Sequence, residues 1–223
     1  MISPSFFRLL LLAPLAALLP WPGFAQEPDK PNGIFLVAKP RLQDPNFSKT
    51  VVLVTQHRAD EPMGVIINRP TPFALNELFP ENPNLITRGD PVYFGGPVSP
   101  LTLVFVFHAA ERPKEALPVL DDVYMSVSPG LLSELISRPR FPERLKVYAG
   151  YAGWAPGQLQ NEIRRGDWYV INADAETLFR MEPKNIWPEL VKRASSRSTK
   201  GPRPAGDGLM LAIARRYSHN RKF

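Results

Sequence analysis

The segment GYAGWAPGQLQNEIRRGDWYVI (residues 150–171) decides how this sequence is interpreted. It predicts a strand that ends in a glycine-rich turn, followed by a helix and a second strand. The glycines at positions 150, 153 and 157 permit close backbone approach and unusual φ angles. Such a turn either cradles a ligand or only redirects the chain, and the two interpretations lead to different functions.

The residues around this turn favour the structural interpretation. Pro156 predicts the first turn of a helix over residues 156–166, and Gly166 predicts its end. Trp154 and Trp168 are expected to pack between this helix and the sheet. The glycine spacing is G-x-x-G-x-x-x-G rather than G-x-G-x-x-G, and G-K-[ST] does not occur in the chain. Neither a dinucleotide fingerprint nor a P-loop is therefore present.

The composition is that of a globular protein. The chain has 223 residues, of which 44% are hydrophobic and 22% are charged, and this suits one ordinary domain with a real core. Its 26 prolines indicate many rigid connections between short elements. No cysteine is present, which excludes disulfides and a thiol nucleophile.

Residues 1–25 have the pattern of a secretory signal peptide. Arg8 gives a positive start, residues 9–19 are apolar, and the small residues of GFA precede Gln26. The apolar run is about half of the ~20 residues that a membrane-spanning helix needs, so we expect no transmembrane helix after cleavage. We therefore expect a periplasmic or secreted protein with a linker at 26–32. A cytoplasmic location is the alternative if this segment does not act as a signal.

The positive charge lies at the C-terminal end. Residues 190–223 contain nine lysines and arginines against one acidic residue, Asp207. This basic tail, assigned to residues 191–223, either contacts anionic surfaces or is a solvated end. A last helix is predicted within it at 207–217.

Apolar runs rich in branched side chains predict the strands of the fold. Several of these runs are apolar throughout, which is typical of strands covered on both faces. The predicted strands are 33–39, 50–56, 63–68, 103–109, 123–127, 145–150 and 167–172.

Helices are predicted between some of these strands and after the last one. Ser128 and Asp174 are the expected N-caps of two of them. The predicted helices are 128–139, 156–166, 174–179 and 185–194. Strands dominate the first half and alternate with helices in the second. The expected fold class is therefore α/β (mixed α+β), a single compact domain at 33–190 with a mixed β-sheet flanked by helices.

The histidines are the first candidates for chemistry. His57 and His108 each end an apolar strand, where side chains can gather at one sheet edge. With Asp44 or Asp60 they could ligate zinc, but no H-x-x-x-H or H-E-x-x-H spacing supports this, and no metal site is expected. We interpret each histidine as structural.

A hydrolytic site has equally little support. Ser48, Thr50 and Ser99 are available as nucleophiles, but the G-x-S-x-G motif is absent. We expect no catalytic residues.

Two further turns carry polar or glycine residues at strand ends. In GVIINRP (64–70), Arg69 is expected to pair with a carboxylate or to face an anionic ligand. In YFGGPVSP (93–100), Gly95 and Gly96 precede Pro97.

Four segments together resemble the AlgH/YqgE family of bacterial proteins: GIFLVAKPRLQDPNFSKTVVLVTQH, GVIINRP, VYFGGPVSP and the segment at 150–171. The resemblance runs in the correct order over about residues 33–187. It implies one compact α/β domain, with no cofactor and no established catalytic residue. Some members of the family are described as transcriptional regulators, and members are usually cytoplasmic.

The expected function is non-enzymatic. We expect an exported domain that binds an unidentified partner protein or small ligand through strand-end loops, because sites in α/β sheets collect there. The candidate ligand-binding residues are His57, Asn68, Arg69, Gly95, Gly96, Pro97, His108, Gly153, Trp154 and Gln158. One alternative is a cytoplasmic regulator that contacts nucleic acid through the basic tail, although no sequence-specific nucleic-acid motif is present. A second is a hydrolase using His57 or His108.

Overall fold

Ten strands form one sheet in the computed structural model, which describes residue 31 and residues 33–58, 61–138 and 144–198. The strands are β1 (Ile34–Ala38), β2 (Val51–Arg58), β3 (Glu61–Ile66), β4 (Pro70–Ala74), β5 (Pro91–Phe94), β6 (Val98–His108), β7 (Leu117–Leu120), β8 (Val123–Ser126), β9 (Leu145–Gly153) and β10 (Trp168–Asn172). The helices within these ranges are α1 (Leu75–Leu78), α2 (Pro129–Ser137), α3 (Gln158–Arg165), α4 (Ala175–Phe179) and α5 (Pro183–Ser198).

The sheet is mixed and curled. Its main order is β10-β1-β2-β3-β9-β6-β8-β7, with antiparallel neighbours throughout. β5 adds a parallel pairing along β9, and β4 pairs with β5. The curl brings β7 back to the start of the sheet, where the Gly33 N–H donates to Val119 O at 2.8 Å and Thr55 Oγ1 donates to Pro118 O at 3.1 Å.

The inside of the curl holds the largest buried cluster. Phe35 and Val37 of β1 point into it, while Leu36 points to the opposite face, so β1 is buried on both sides. α4 and α5 cover the inner cluster. Outside the curl, α2 packs against β6, β8 and β9, and α3 packs against the face of β1–β3. Among the described residues, no helix is both long and apolar enough to cross a membrane.

The strands predicted from apolar runs are all present, and the α/β fold class with a mixed sheet is confirmed. Three strands were not predicted: β4, β5 and β7 have the sequences PTPFA, PVYF and LPVL. Each is short and contains proline, which lacks a backbone N–H and is typical of turns and sheet edges. β6 also begins at Val98, before the predicted residue 103.

The predicted helix caps are confirmed for α2 and α4. Ser128 Oγ accepts from the Leu131 N–H at 3.3 Å, and Asp174 Oδ1 accepts from the Thr177 N–H at 2.7 Å. The predicted start of α3 at Pro156 is wrong: the helix begins at Gln158, after Gly157 in a left-handed conformation, and ends as predicted at Gly166. α5 begins earlier than predicted, at Pro183, and continues past residue 190 to Ser198.

Several predictions concern residues outside the described ranges. They are the signal segment at 1–25, most of the linker at 26–32 and the last helix at 207–217. Most of the basic tail also lies outside them.

Candidate functional site

Gly95, Gly96 and Gly150 form a close crossing of two backbones, which we call the glycine crossing. The chain leaves β5 along one edge of β9, passes over β9, and continues as β6 along its other edge. A Cβ at Gly95 would lie 2.2 Å from Gly150 O, and a Cβ at Gly96 would lie 2.3 Å from the Tyr151 carbonyl carbon. Gly150 has φ +73°, a backbone conformation that residues with a side chain rarely adopt. These glycines are therefore explained by backbone contact.

The crossing forces the next residues outward. Val98 pairs with Tyr151 and Leu103 pairs with Ala149, so residues 99–102 stand opposite Gly150 alone, as a large bulge. Ser99 sits at φ +46°, and Leu101 is 97% exposed. We call residues 97–101 with 153–158 the strand-end surface, because a Cβ at Gly153 would lie 4.0 Å from a Val98 methyl group.

The side chains of Asn68 and Arg69 bind the protein's own backbone. Asn68 Oδ1 accepts from the Val51 N–H at 2.9 Å, and its Nδ2 donates to Lys49 O at 3.0 Å. The Arg69 guanidinium donates to the carbonyls of Asn46 (2.7 Å) and Ser48 (3.1 Å). Arg69 was expected to pair with a carboxylate or an anionic ligand, but its hydrogen bonds go to backbone carbonyls. Burial lowers the pKa of Arg69, and the charge of Asp44 opposes this lowering. Both residues fasten the loop before β2.

Trp154 and Gln158 are likewise engaged within the fold. Trp154 is buried, and its indole N–H donates to Glu162 Oε2 at 2.9 Å. Trp168 donates to the same oxygen at 3.0 Å, and Gln158 Nε2 donates to Glu162 Oε1 at 2.9 Å. The predicted packing of both tryptophans between helix and sheet is confirmed. Glu162, which the sequence did not single out, is the acceptor that joins them.

His108 lies apart from the other candidates. It stands opposite the start of β9, whereas Gly153 ends that nine-residue strand, about 26 Å away at the usual rise per residue. Its Nε2 lies 2.8 Å from Asp122 Oδ2, and both side chains are exposed. The side chain of His57 lies outside the described part. Within the described ranges, no group of three histidine or acidic side chains is placed to hold a metal ion.

A cavity of about 510 Å³ lies between the segment after α1 and helix α2. The amides of Asn82 and Asn84 that line it already donate to Ile136 O, each at 3.3 Å. None of the described candidate residues lines this cavity. These two hydrogen bonds tie the segment after α1 to the end of α2.

A second group of residues, missed at the sequence level, surrounds Lys146 on β9. Its Nζ lies 4.7 Å from the centre of the Tyr93 ring, and the Tyr93 and Tyr148 rings are 5.5 Å apart. Burial lowers the pKa of Lys146 to about 8, and the charge of Glu182 only partly opposes this lowering. Burial also raises the pKa of Tyr93 and, well above its usual value, that of Tyr148. The available signal was a lysine in the apolar run LKVYAG, two residues before a tyrosine on the same strand face.

These features define a single-domain α/β protein on a curled mixed sheet, with an apolar surface beside a glycine crossing. A family profile described as DUF179, AlgH-like, matches residues 35–198. A UPF0301 protein of Myxococcus xanthus is 39% identical over 160 residues, which cover 70% of this chain and 87% of that protein. A UPF0301 protein of Methylococcus capsulatus is 37% identical over 157 residues, which cover 69% of this chain and 83% of that protein.

Solved structures show the same fold. The AlgH protein of Pseudomonas aeruginosa matches with a TM-score of 0.60 and 28% identity, over 80% of this chain and 98% of that one. A protein of Corynebacterium diphtheriae matches with a TM-score of 0.61 and 26% identity, over 81% of this chain and 92% of that one. The chain belongs to the AlgH-like family, and the expected membership is confirmed. The names of these relatives state no activity.

Proposed function

We propose that this chain is an exported, non-enzymatic AlgH-like domain that binds a partner protein through the strand-end surface. The observation that carries the proposal is Leu101, whose side chain is 97% exposed on a bulge imposed by the glycine crossing. A leucine side chain gains about 1.5–3 kcal/mol when it is fully removed from water. Its nearly complete exposure suits insertion into an apolar pocket of another protein.

The rigidity of the surface supports the same function. A Cβ at Gly150 would lie 3.0 Å from Val98 O and 3.2 Å from Pro100 Cα. The bulge therefore packs directly against the backbone of β9. Prolines at positions 97 and 100 restrict it further. A surface already held in one shape loses little conformational entropy when a partner binds.

The surface also lacks charge. Residues 97–101 and 153–158 contain no lysine, arginine, aspartate or glutamate. We therefore expect binding that changes little with salt concentration. The alternative of nucleic-acid binding through the basic tail predicts the opposite, because phosphate contacts weaken steeply as salt rises.

Site-specific photo-crosslinking tests this function. p-Benzoylphenylalanine is placed at Leu101 in the full chain and, as a matched control, at Ile86, which is 66% exposed elsewhere on the surface. In cells of the natural host, we expect position 101 to give one discrete adduct with a different protein and position 86 to lack it. When the irradiation is repeated in cell lysate, the adduct should form to a similar extent at low and at high salt.

Three results would contradict the proposal. They are the absence of any adduct at position 101, the same adduct at both positions, and an adduct that contains only a second copy of this chain.

The export part of the proposal rests on residues 1–25 and has its own test. The intact mass of the protein is measured separately in the cytoplasm and periplasm of a Gram-negative host. We expect a periplasmic species that lacks residues 1–25. A full-length species confined to the cytoplasm would refute export. It would favour the alternative of a cytoplasmic regulator that contacts nucleic acid through the basic tail.

A further inference from the structure

We propose that two copies of this chain pair along the outer edge of β10, so that their sheets join into one continuous sheet. This interface is separate from the strand-end surface, which belongs to β6 and the turn after β9. β10 is the end strand of the main sheet order, and among the described strands it pairs with β1 alone. A strand in this position can accept a further strand through its backbone.

The backbone of β10 has unpaired hydrogen-bonding groups at this edge. The Lys39 N–H donates to Asp167 O at 2.9 Å, and the Ala173 N–H donates to Gly33 O at 3.1 Å. Because the facing direction alternates along a strand, the odd-numbered residues of β10 face β1 and the even-numbered ones face away. Within the described ranges, the N–H and C=O groups of the outward residues have no hydrogen-bond partner. The outward residues are Trp168, Val170 and Asn172.

The edge is not covered by the neighbouring helices. α5 packs on the inner face of the sheet and α3 packs on the opposite face, so both helices lie on faces of the sheet. The side chains of Tyr169 and Val170 are partly exposed, and that of Asn172 is exposed. A second strand can therefore approach β10 in the plane of the sheet.

β10 also lacks the protection that the other described end strands have. The strand β7 contains Pro118, and the curl covers it where Val119 O accepts from the Gly33 N–H. The strand β4 contains two prolines in the sequence PTPFA. The sequence of β10, WYVIN, has neither a proline nor a charged residue. Branched and aromatic residues without such protection are suited to strand pairing.

The charges at the two ends of β10 favour a second copy as the added strand. The basic residues beside its start are Lys39, Arg41, Arg164 and Arg165, of which Arg165 pairs with Asp167. The segment after β10 carries two acidic residues, Asp174 and Glu176, and Arg193 lies 3.7 Å from Asp174. In an antiparallel pair of copies, the basic end of each β10 meets the acidic end of the other. The edge is therefore self-complementary, as a two-fold interface requires.

Pairing centred on Val170 uses all the outward backbone groups. Val170 then stands opposite its counterpart, and Trp168 of each copy stands opposite Asn172 of the other. Each of these pairs can exchange two backbone hydrogen bonds. The same alignment brings Arg164 of one copy towards Glu176 of the other. One short strand buries little area, so we expect a reversible dimer rather than an obligate one.

Analytical ultracentrifugation of the full chain, from micromolar to millimolar concentration, tests the interface. We expect the mass to change reversibly from monomer to dimer. Val170→Pro removes the central outward N–H and should weaken dimerisation about tenfold or more. Proline is tolerated where the strand N–H points outward, so this variant is expected to fold, and circular dichroism checks it. Val170→Thr is the matched control, because it keeps the N–H and the branched shape, and it should dimerise normally.

A charge exchange tests the alignment without changing the backbone. Arg164 and Glu176 are both exposed. Arg164→Glu and Glu176→Arg each place like charges together across the interface, and each should weaken the dimer a few-fold. The double variant restores opposite charges and should recover the dimer.

Three results would overturn the proposal. A monomer at every concentration would leave the edge to a strand of a different protein. A dimer that Val170→Pro does not weaken would use another surface. A double variant that dimerises no better than the single ones would contradict the antiparallel alignment.

Discussion

Replacing Gly95 with alanine is expected to destabilise the domain by about 3 kcal/mol or more, because the new methyl group would overlap backbone atoms that cannot move aside. Its Cβ would lie 2.2 Å from Gly150 O and 2.9 Å from Tyr148 Cβ. Gly95 is also fixed from two sides, since the Ile66 N–H donates to its carbonyl and its own N–H donates to Ala149 O, both at 2.8 Å. Urea denaturation of the purified domain measures the loss.

Gly89→Ala is the matched control for this substitution. A Cβ at Gly89 has no atom within 4 Å, so the same chemical change should alter stability by no more than about 0.5 kcal/mol. Equal stabilities of the two variants would show that β5, β6 and β9 can separate freely at this point. The glycine crossing would then not explain why the bulge at 99–102 is rigid.

Replacing Glu162 with alanine is expected to cost about 2–4 kcal/mol, because the buried indole N–H groups of Trp154 and Trp168 would lose their acceptor. Glu162→Gln should lose clearly less, since its amide oxygen can still accept from both indoles. Denaturation followed by tryptophan fluorescence measures both variants.

Glu134→Ala is the control for removing a glutamate. Glu134 forms an exposed ion pair with Arg138 one helical turn away, and such a pair contributes about 0.5 kcal/mol or less. If Glu162→Ala were no more destabilising than Glu134→Ala, the turn at 150–171 would not owe its shape to the two tryptophans. The ligand-cradling interpretation of that turn would then regain support.

Local signals in the sequence were sufficient for much of the fold. The buried run IFLVA and the capped helix after Ser128 are each specified by neighbouring residues. The strand PTPFA was missed because its residues are mostly exposed and two of them are prolines. Its pairing with β5 depends on residues about twenty positions later in the chain, which a local sequence pattern does not reveal.

The candidate site was also only partly predictable from local sequence. Trp154 and Trp168 were correctly predicted to pack between helix and sheet, but their acceptor, Glu162, depends on how α3 is rotated. Arg69 was expected at a strand end, yet its carbonyl partners lie more than twenty residues earlier. Leu101 had no signal at all, because its exposure follows from a glycine crossing between residues 95–96 and 150. Ligand binding by the strand-end residues stays a prediction.

The central claim is that Leu101 enters an apolar pocket of a partner protein, and the affinity of the partner identified by crosslinking tests it most directly. The dissociation constant is measured for the natural chain, for Leu101→Ser and for the control Ile86→Ser, at low and high salt. We expect Leu101→Ser to bind about tenfold or more weakly at both salt concentrations, from the loss of a buried leucine, and Ile86→Ser to bind normally. Unchanged affinity of Leu101→Ser, or an affinity governed by salt, would contradict the account.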